Sequence, residues 1–226
     1  TWNIPGDFRA GSSLERDRGL LKSSHKGWEE RDSILQPWAL DLAKQVMVDT
    51  SKGEPWASST GNCYLDGLPA INDQLAPFQI FVTSAKVAFV SQLNLQVRHI
   101  HMNQSHPPEV RHTWFGHSVG RCEGATLVID TVGLTDRSSL NWDGIPHTSA
   151  LHVVERWRII DNDRLEVQMT LDDPGAFVKP WNVRKSFQRW GDLVEYVCAE
   201  DTVHTVPPHE QDWSSHVSTG FSIDEY

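Results

Sequence analysis

The sequence predicts a mainly β protein: a single antiparallel up-and-down β-barrel, lipocalin-like, with an N-terminal arm and one short helix. Three observations carry that expectation. Between Gln79 and Glu200, apolar and polar residues alternate with period two in nine short runs. Turn-forming residues close each run, the arrangement that gives consecutive hairpins and a curled sheet. The chain's 226 residues suit one all-β domain.

In order along the chain, residues 1–34 are polar and lack a sustained period, so they read as an arm anchored by Trp2, Phe8, Leu20, Leu21 and Trp28. A helix is expected from Ser33 to Val48, where Leu35, Trp38, Leu42 and Val46 recur at helical spacing and Pro37 is tolerated in the first turn. Residues 50–76 are rich in Gly, Pro, Ser and Asn and read as loop. The nine extended runs follow: QIFVTSA, KVAFVSQ, LQVRHIHM, RHTWFGHSVG, ATLVIDTVG, LHVVERWRIID, RLEVQMTLDD, VRKSFQRW and DLVEYVCAE. Asp161-Asn162-Asp163 marks a hairpin turn, and Asp172-Asp173-Pro174 reads as another turn. Residues 204–226 form a polar tail. The organisation is one domain over 1–226, with arm and helix in 1–50 and the barrel in 78–200.

Alternation sorts side chains between the two faces of a strand. In Val153–Ile160 the arginines Arg156 and Arg158 share one face with Val154, which places Glu155 and Trp157 together on the opposite, inward face. A carboxylate facing inward must be paired or protonated. His99 and His101, two apart, face the same way.

A formal charge of −10 argues against binding a phosphate backbone, and no apolar run approaches the roughly 20 residues of a membrane-spanning helix. No Rossmann or P-loop glycine pattern is present, so no cofactor is expected. The expected partner is a small-molecule substrate, with no nucleic acid and no membrane, and a homodimer is compatible with the sequence. The first residue is Thr1; a removed signal peptide and a cytoplasmic location both stay open. Cys63, Cys122 and Cys198 fit no metal spacing, and Cys63 and Cys198 could pair.

Seven of the eleven histidines fall between His99 and His152. Histidine titrates near neutrality, so clustering it supplies proton-transfer groups or metal ligands. The ten tryptophans outnumber the eight phenylalanines, and they suit both core packing and a pocket for a flat ligand.

The run H-P-P-E-V-R-H-T-W-F-G-H-S-V-G-R-C-E-G-A-T-L-V-I-D-T-V-G-L is followed by P-H-T-S-A-L-H-V-V-E-R-W-R and L-D-D-P-G-A-F-V-K-P-W. Through these stretches, the chain from about Cys63 to Glu200 resembles a widespread group of small bacterial and fungal β-barrel-like proteins. The resemblance implies a site drawn from His106, Trp114, Gly116, Ser118, Gly120, Glu123, Thr126, Asp130, His147, Glu155 and Arg156. Three departures from the group's pattern, Cys122 for Trp, Ala125 for Asp, and Thr148 for the Ser directly after His147, imply a reshaped pocket.

The reading that follows is a cofactor-independent lyase, isomerase or cyclase acting on a small apolar metabolite. His106, His117, His147, Glu155 and Asp130 are the expected acid–base groups. Trp114, Ser118, Glu123, Trp142, Trp157 and His101 are the expected substrate-binding groups. One alternative is a lipocalin-like carrier that binds without transforming. A second is a metal-dependent enzyme with His99, His101 and His106 or Glu109 as ligands. Gly116, Ser118 and Gly120 fit G-x-S-x-G, but a strand rather than a helix is expected next, so the glycines read as bends or close approaches instead of a nucleophile elbow.

Overall fold

In the computed structural model, which describes residues 8–12, 30–51, 64–73, 77–141, 143–189, 193 and 195, eight of the nine period-two runs contain strands. They are β2 (Phe78–Val82), β3 (Lys86–Ser91), β4 (Val97–Met102), β5 (His117–Glu123), β6 (Thr126–Val132), β7 (His152–Ile159), β8 (Arg164–Asp172) and β9 (Trp181–Arg189). The ninth run, DLVEYVCAE, lies outside the described residues apart from Leu193 and Glu195. The chain divides into a unit Thr1–Tyr196 and a unit Val197–Tyr226, and the described residues all lie in the first.

Strands β2 to β9 form one strongly curled sheet in which sequence neighbours are spatial neighbours. Two antiparallel meanders make it up, β2-β3-β4 and β5-β6-β7-β8-β9. A short strand inside the expected arm, β1 (Phe8–Ser12), pairs with β2 on one edge and β9 on the other.

The expectation of a wholly antiparallel, up-and-down sheet is corrected where the meanders join. Strands β4 and β5 pair in parallel, Ile100 opposite Ser118 and Met102 opposite Gly120. A parallel pair needs a long crossover, and residues 103–116, with Pro107 and Pro108, provide it. The front half of RHTWFGHSVG belongs to that crossover, where Thr113 makes a single bridge to Leu134. Gly116 then turns into β5 at φ +59°, where a Cβ would sit 2.4 Å from the Val132 carbonyl oxygen.

The helix is also corrected. Instead of one helix from Ser33 to Val48 there are two, α1 (Arg31–Ile34) and α2 (Pro37–Ser51). Pro37 disfavours helical backbone at Gln36 before it, which lies outside both helices, and the chain is already extended at Leu35 (ψ 139°), which bridges to Phe177. Helix α2 buries Ala39 and Ala43, one turn apart, against the core.

Inside the curl, β7 contributes Val153, Glu155 and Trp157 as the alternation requires. Trp157 packs against Phe78, Phe89 and Phe187 with ring centroids 5.0–6.0 Å away. Gly120 faces inward too, and a Cβ there would come within 2.7 Å of Ile100 Cγ2 and 2.8 Å of Met102 Sδ. These are the close approaches expected of the G-x-S-x-G glycines. Among the described residues, no helix is long and apolar enough to cross a membrane.

Candidate functional site: two polar clusters on opposite faces of one wall

Strands β4, β5, β6 and β7 carry two polar clusters. The sequence reading expected the histidines and Glu155 to share one pocket, but the pleat puts them on opposite faces. On β5, His117 faces out and Ser118 faces in; on β6, Asp130 faces out and Thr131 faces in.

The outer cluster is a chain of imidazoles around one carboxylate. His106, in the crossover, has Nε2 3.0 Å from Asp130 Oδ1 and Nδ1 2.9 Å from His117 Nδ1. His152, at the start of β7, brings its own Nε2 to the same Asp130 oxygen at 3.0 Å. His101 stacks on His117 with centroids 5.0 Å apart and rings within 6° of parallel. These groups are half-buried: His106 is 23%, Asp130 30% and His152 39% exposed.

Tautomers follow from what each partner can accept. A carboxylate oxygen only accepts, so His106 Nε2–H and His152 Nε2–H both donate to Asp130. Neutral His106 then presents a bare Nδ1, which accepts the Nδ1–H of His117. The Nε2 of His117 and the Nδ1 of His152 keep their lone pairs, and neither is taken among the described residues. Burial, then the nearby His106 and His101, hold His117 below the ordinary histidine value, which favours its neutral form.

The inner cluster is built on Arg98 and Glu155, 2% and 0% exposed. Glu155 Oε1 accepts from Arg98 Nη1 (3.0 Å), Asn72 Nδ2 (2.9 Å) and Trp157 Nε1 (3.3 Å), and Oε2 accepts from Arg98 Nη2. The guanidinium also donates to Ser118 Oγ and Thr131 Oγ1. Asn72 comes from the 3₁₀ turn Ala70–Asp73, which plugs the interior. Next to it, Lys185 of β9 points inward at 1% exposure, its Nζ 3.9 Å from Asp73 Oδ1. Burial pushes this lysine down to about 8 against the partial support of Asp73.

Of the expected acid–base groups, the structure brings His106, His117 and Asp130 together, and places Glu155 with Arg98 behind them. His147 lies elsewhere, 3% exposed. Its Nδ1–H donates to the Thr148 carbonyl (2.9 Å), and its Nε2 accepts from Ser138 Oγ (2.9 Å). Burial holds His147 below its ordinary value, only partly offset by the Thr148 hydrogen bond and the charges of Asp173 and Asp136.

The expected substrate-binding groups scatter. His101 joins the outer cluster, while Ser118 and Trp157 belong to the interior. Trp114 stacks on Tyr64 (6.1 Å) with the Arg137 guanidinium 5.6 Å above it. Glu123 is gripped by Arg156 (2.8 Å) and Arg121 (2.9 Å) instead of orienting a histidine; hydrogen bonds to Arg156, then Arg121, hold its carboxyl below the usual range. Trp142, Cys63 and Cys198 lie outside the described residues, and Cys122 is an exposed thiol.

Four participants were missed: Arg98, Asn72, Thr131 and His152. For Arg98 there was a signal, since an inward Glu155 demands a cation, and Arg98 lies with Ile100 and Met102 on the face opposite His99 and His101. Among the described residues, no group of three or more His, Cys, Asp or Glu is arranged to hold a metal ion. His99, His101, His106 and Glu109 do not converge on a point, because His106 directs its two nitrogens at different neighbours. No protein-family profile, curated protein or solved structure matches the chain.

Proposed function

We propose that the protein is a cofactor-independent acid–base enzyme that isomerises, dehydrates or cyclises a small molecule, with the outer histidine–aspartate chain as its proton-transfer machinery. The observation that carries this reading is the unbroken sequence of contacts His117–His106–Asp130–His152.

His117 is the terminal base. When its Nε2 takes a proton from substrate, its Nδ1 proton moves to His106 Nδ1, and the resulting His106 imidazolium faces the Asp130 carboxylate. Returning the proton to a different substrate atom gives isomerisation; delivering it to a departing hydroxyl gives dehydration. His152 offers a second lone pair on the other side of Asp130. Glu155, with both oxygens occupied by fixed donors, acts as an anchor for the wall that carries the chain. His147 holds the Ser138 and Thr148 loops together.

We also infer that the curled sheet works as a closed, lipocalin-like barrel with β1 as its ninth stave. A ring of strands closes only with an even number of antiparallel pairs, and eight antiparallel pairs plus one parallel pair satisfy that condition.

The test follows deuterium incorporation by NMR across a panel of small enolisable ketones and hydroxyketones in heavy water. Wild-type protein should catalyse exchange of at least one member, with the rate falling at least ~10²-fold in folded His117→Ala and His106→Ala variants. Exchange that persists unchanged in both variants sinks the assignment.

A further inference from the structure

We propose that Ser138 and His147 form a nucleophile–base pair that cleaves small carboxylic esters of aromatic alcohols, an activity separate from the outer proton chain. Both residues lie in the connection between β6 and β7, residues 133–151. They share no side chain with His117, His106, Asp130 or His152.

An activated serine needs a base within hydrogen-bond reach and a third group that orients the base. Ser138 Oγ is 2.9 Å from His147 Nε2, and His147 Nδ1 is 2.9 Å from the Thr148 carbonyl oxygen. A carbonyl only accepts, so the ring proton sits on Nδ1 and the Nε2 lone pair takes the Ser138 hydroxyl. The competing acceptor, the Thr135 carbonyl, is farther at 3.2 Å. Burial keeps the imidazole neutral and ready to accept a proton. The Asp173 carboxylate, itself 0% exposed, is held by the Thr148 N–H (2.6 Å) and hydroxyl (2.7 Å). Its charge favours the imidazolium that forms when His147 takes the proton. Ser118, the serine of the G-x-S-x-G pattern, has no such base, since its hydroxyl is held by Arg98 and Thr131.

The surroundings supply the rest of a site. The Gly67 backbone lies against the serine: a Cβ there would sit 3.2 Å from Ser138 Cβ and 3.4 Å from Oγ. Gly67 is buried, yet its N–H has no acceptor among the described residues. A buried N–H is normally paired, and this one is assigned to the oxyanion that forms when Ser138 attacks. Ser138 itself is 7% exposed. Its neighbour Arg137 places its guanidinium 5.6 Å from the Trp114 ring and 6.0 Å from Tyr64, which is 53% exposed. This aromatic pair offers a face on which the ring of an aryl ester stacks.

Attack by Ser138 Oγ on the ester carbonyl carbon sends the hydroxyl proton to His147 Nε2. The bond from that carbon to the aromatic alcohol's oxygen then breaks, and the departing oxygen takes the proton. Water completes the cycle: His147 Nε2 removes its proton, the acyl–serine bond breaks, and the proton returns to Ser138 Oγ as the carboxylic acid leaves.

A fluorophosphonate, which loses fluoride to an activated serine, and phenyl acetate test the proposal on the full chain. Folded wild type should take up one phosphonyl group, located on Ser138 by peptide mass spectrometry, and urea-unfolded protein none. His147→Gln should slow labelling at least ~10²-fold, as expected for a lost general base, and Ser138→Ala should abolish it. Phenyl acetate should be hydrolysed by the wild type and no longer after labelling. Should either variant not fold, the position of the adduct and the loss of hydrolysis in the wild type decide. No adduct, an adduct elsewhere, unhydrolysed phenyl acetate, or a folded His147→Gln labelled as fast as wild type overturns the proposal. None of these readouts passes through His117 or His106, so failure here leaves the proton chain standing.

Discussion

The two faces of β5 and β6 use similar residues to opposite ends. Inside, Glu155 meets a guanidinium, an amide and an indole N–H with almost no exposure, and each carboxylate oxygen is occupied. Outside, Asp130 meets two half-exposed imidazoles whose far nitrogens can change their protonation. The difference lies in the partners and the surrounding water: fixed donors in a dry interior make an anchor, and titratable donors at a wet surface make, on the proposed function, a proton path. On the proposed function, burial more than residue type decides which carboxylate holds the wall and which one serves chemistry.

The largest effect should come from unbalancing the inner pair. Arg98→Met leaves Glu155 as an uncompensated buried carboxylate and should cost about 3–5 kcal/mol, read from urea unfolding. Arg98→Met combined with Glu155→Met should restore most of that loss. If the single variant costs under about 1 kcal/mol, the interior is wetter than its burial indicates and the contrast between the faces fails.

Lys185 gives the next largest effect. Its proton leaves near pH 8 in the folded protein and near 10.5 in the unfolded chain. Between those values the unfolded chain holds more protons, so stability should rise from about pH 8 to pH 10, by up to about 3 kcal/mol. Urea midpoints across that range should show the rise in the wild type and lose it in Lys185→Met.

At the acid end the relevant groups are His147 and His117, both held below 6.5. Folding keeps them neutral while the unfolded chain protonates them, so their contribution is complete above about pH 6.5 and is lost as pH falls through the folded values. His147→Gln should flatten the urea midpoints measured between pH 7 and pH 5.

The smallest effect on stability belongs to the outer cluster. Asp130→Asn should change it by less than about 1 kcal/mol, as for exposed ion pairs. His106→Asn should nonetheless move the His117 titration upward in NMR, since a neighbouring group that disfavours charge on His117 is removed. A stability loss as large as that of Arg98→Met would erase the distinction between the faces.

Alternation made Glu155 and Trp157 legible as inward residues, because two flanking arginines fix the orientation of β7. The same logic hid Arg98: an arginine is taken to face water until a buried carboxylate demands it. Histidine clustering marked the outer site, yet spacing alone does not say which imidazoles meet, since His106 arrives from a loop and His152 from a strand that follows a long irregular stretch. Period two also carries no strand direction, so the parallel pairing of β4 and β5 was not visible in it. Pro37 offered a local cue that was underused, for it breaks the expected helix.

The parallel join between the meanders has a kinetic consequence. Most strand pairs join sequence neighbours through short turns, contacts that close quickly, whereas residues 103–116 separate β4 from β5 and residues 133–151 separate β6 from β7. The β4–β5 and β6–β7 pairings and the Arg98–Glu155 contact wait for the slower closure of these two connections, the first of which carries His106. In a refolding experiment, secondary structure should therefore recover before the His117 titration does. The His117–His106–Asp130 contacts are thus among the last to form, so a partly folded molecule would carry its strands without the proposed proton chain.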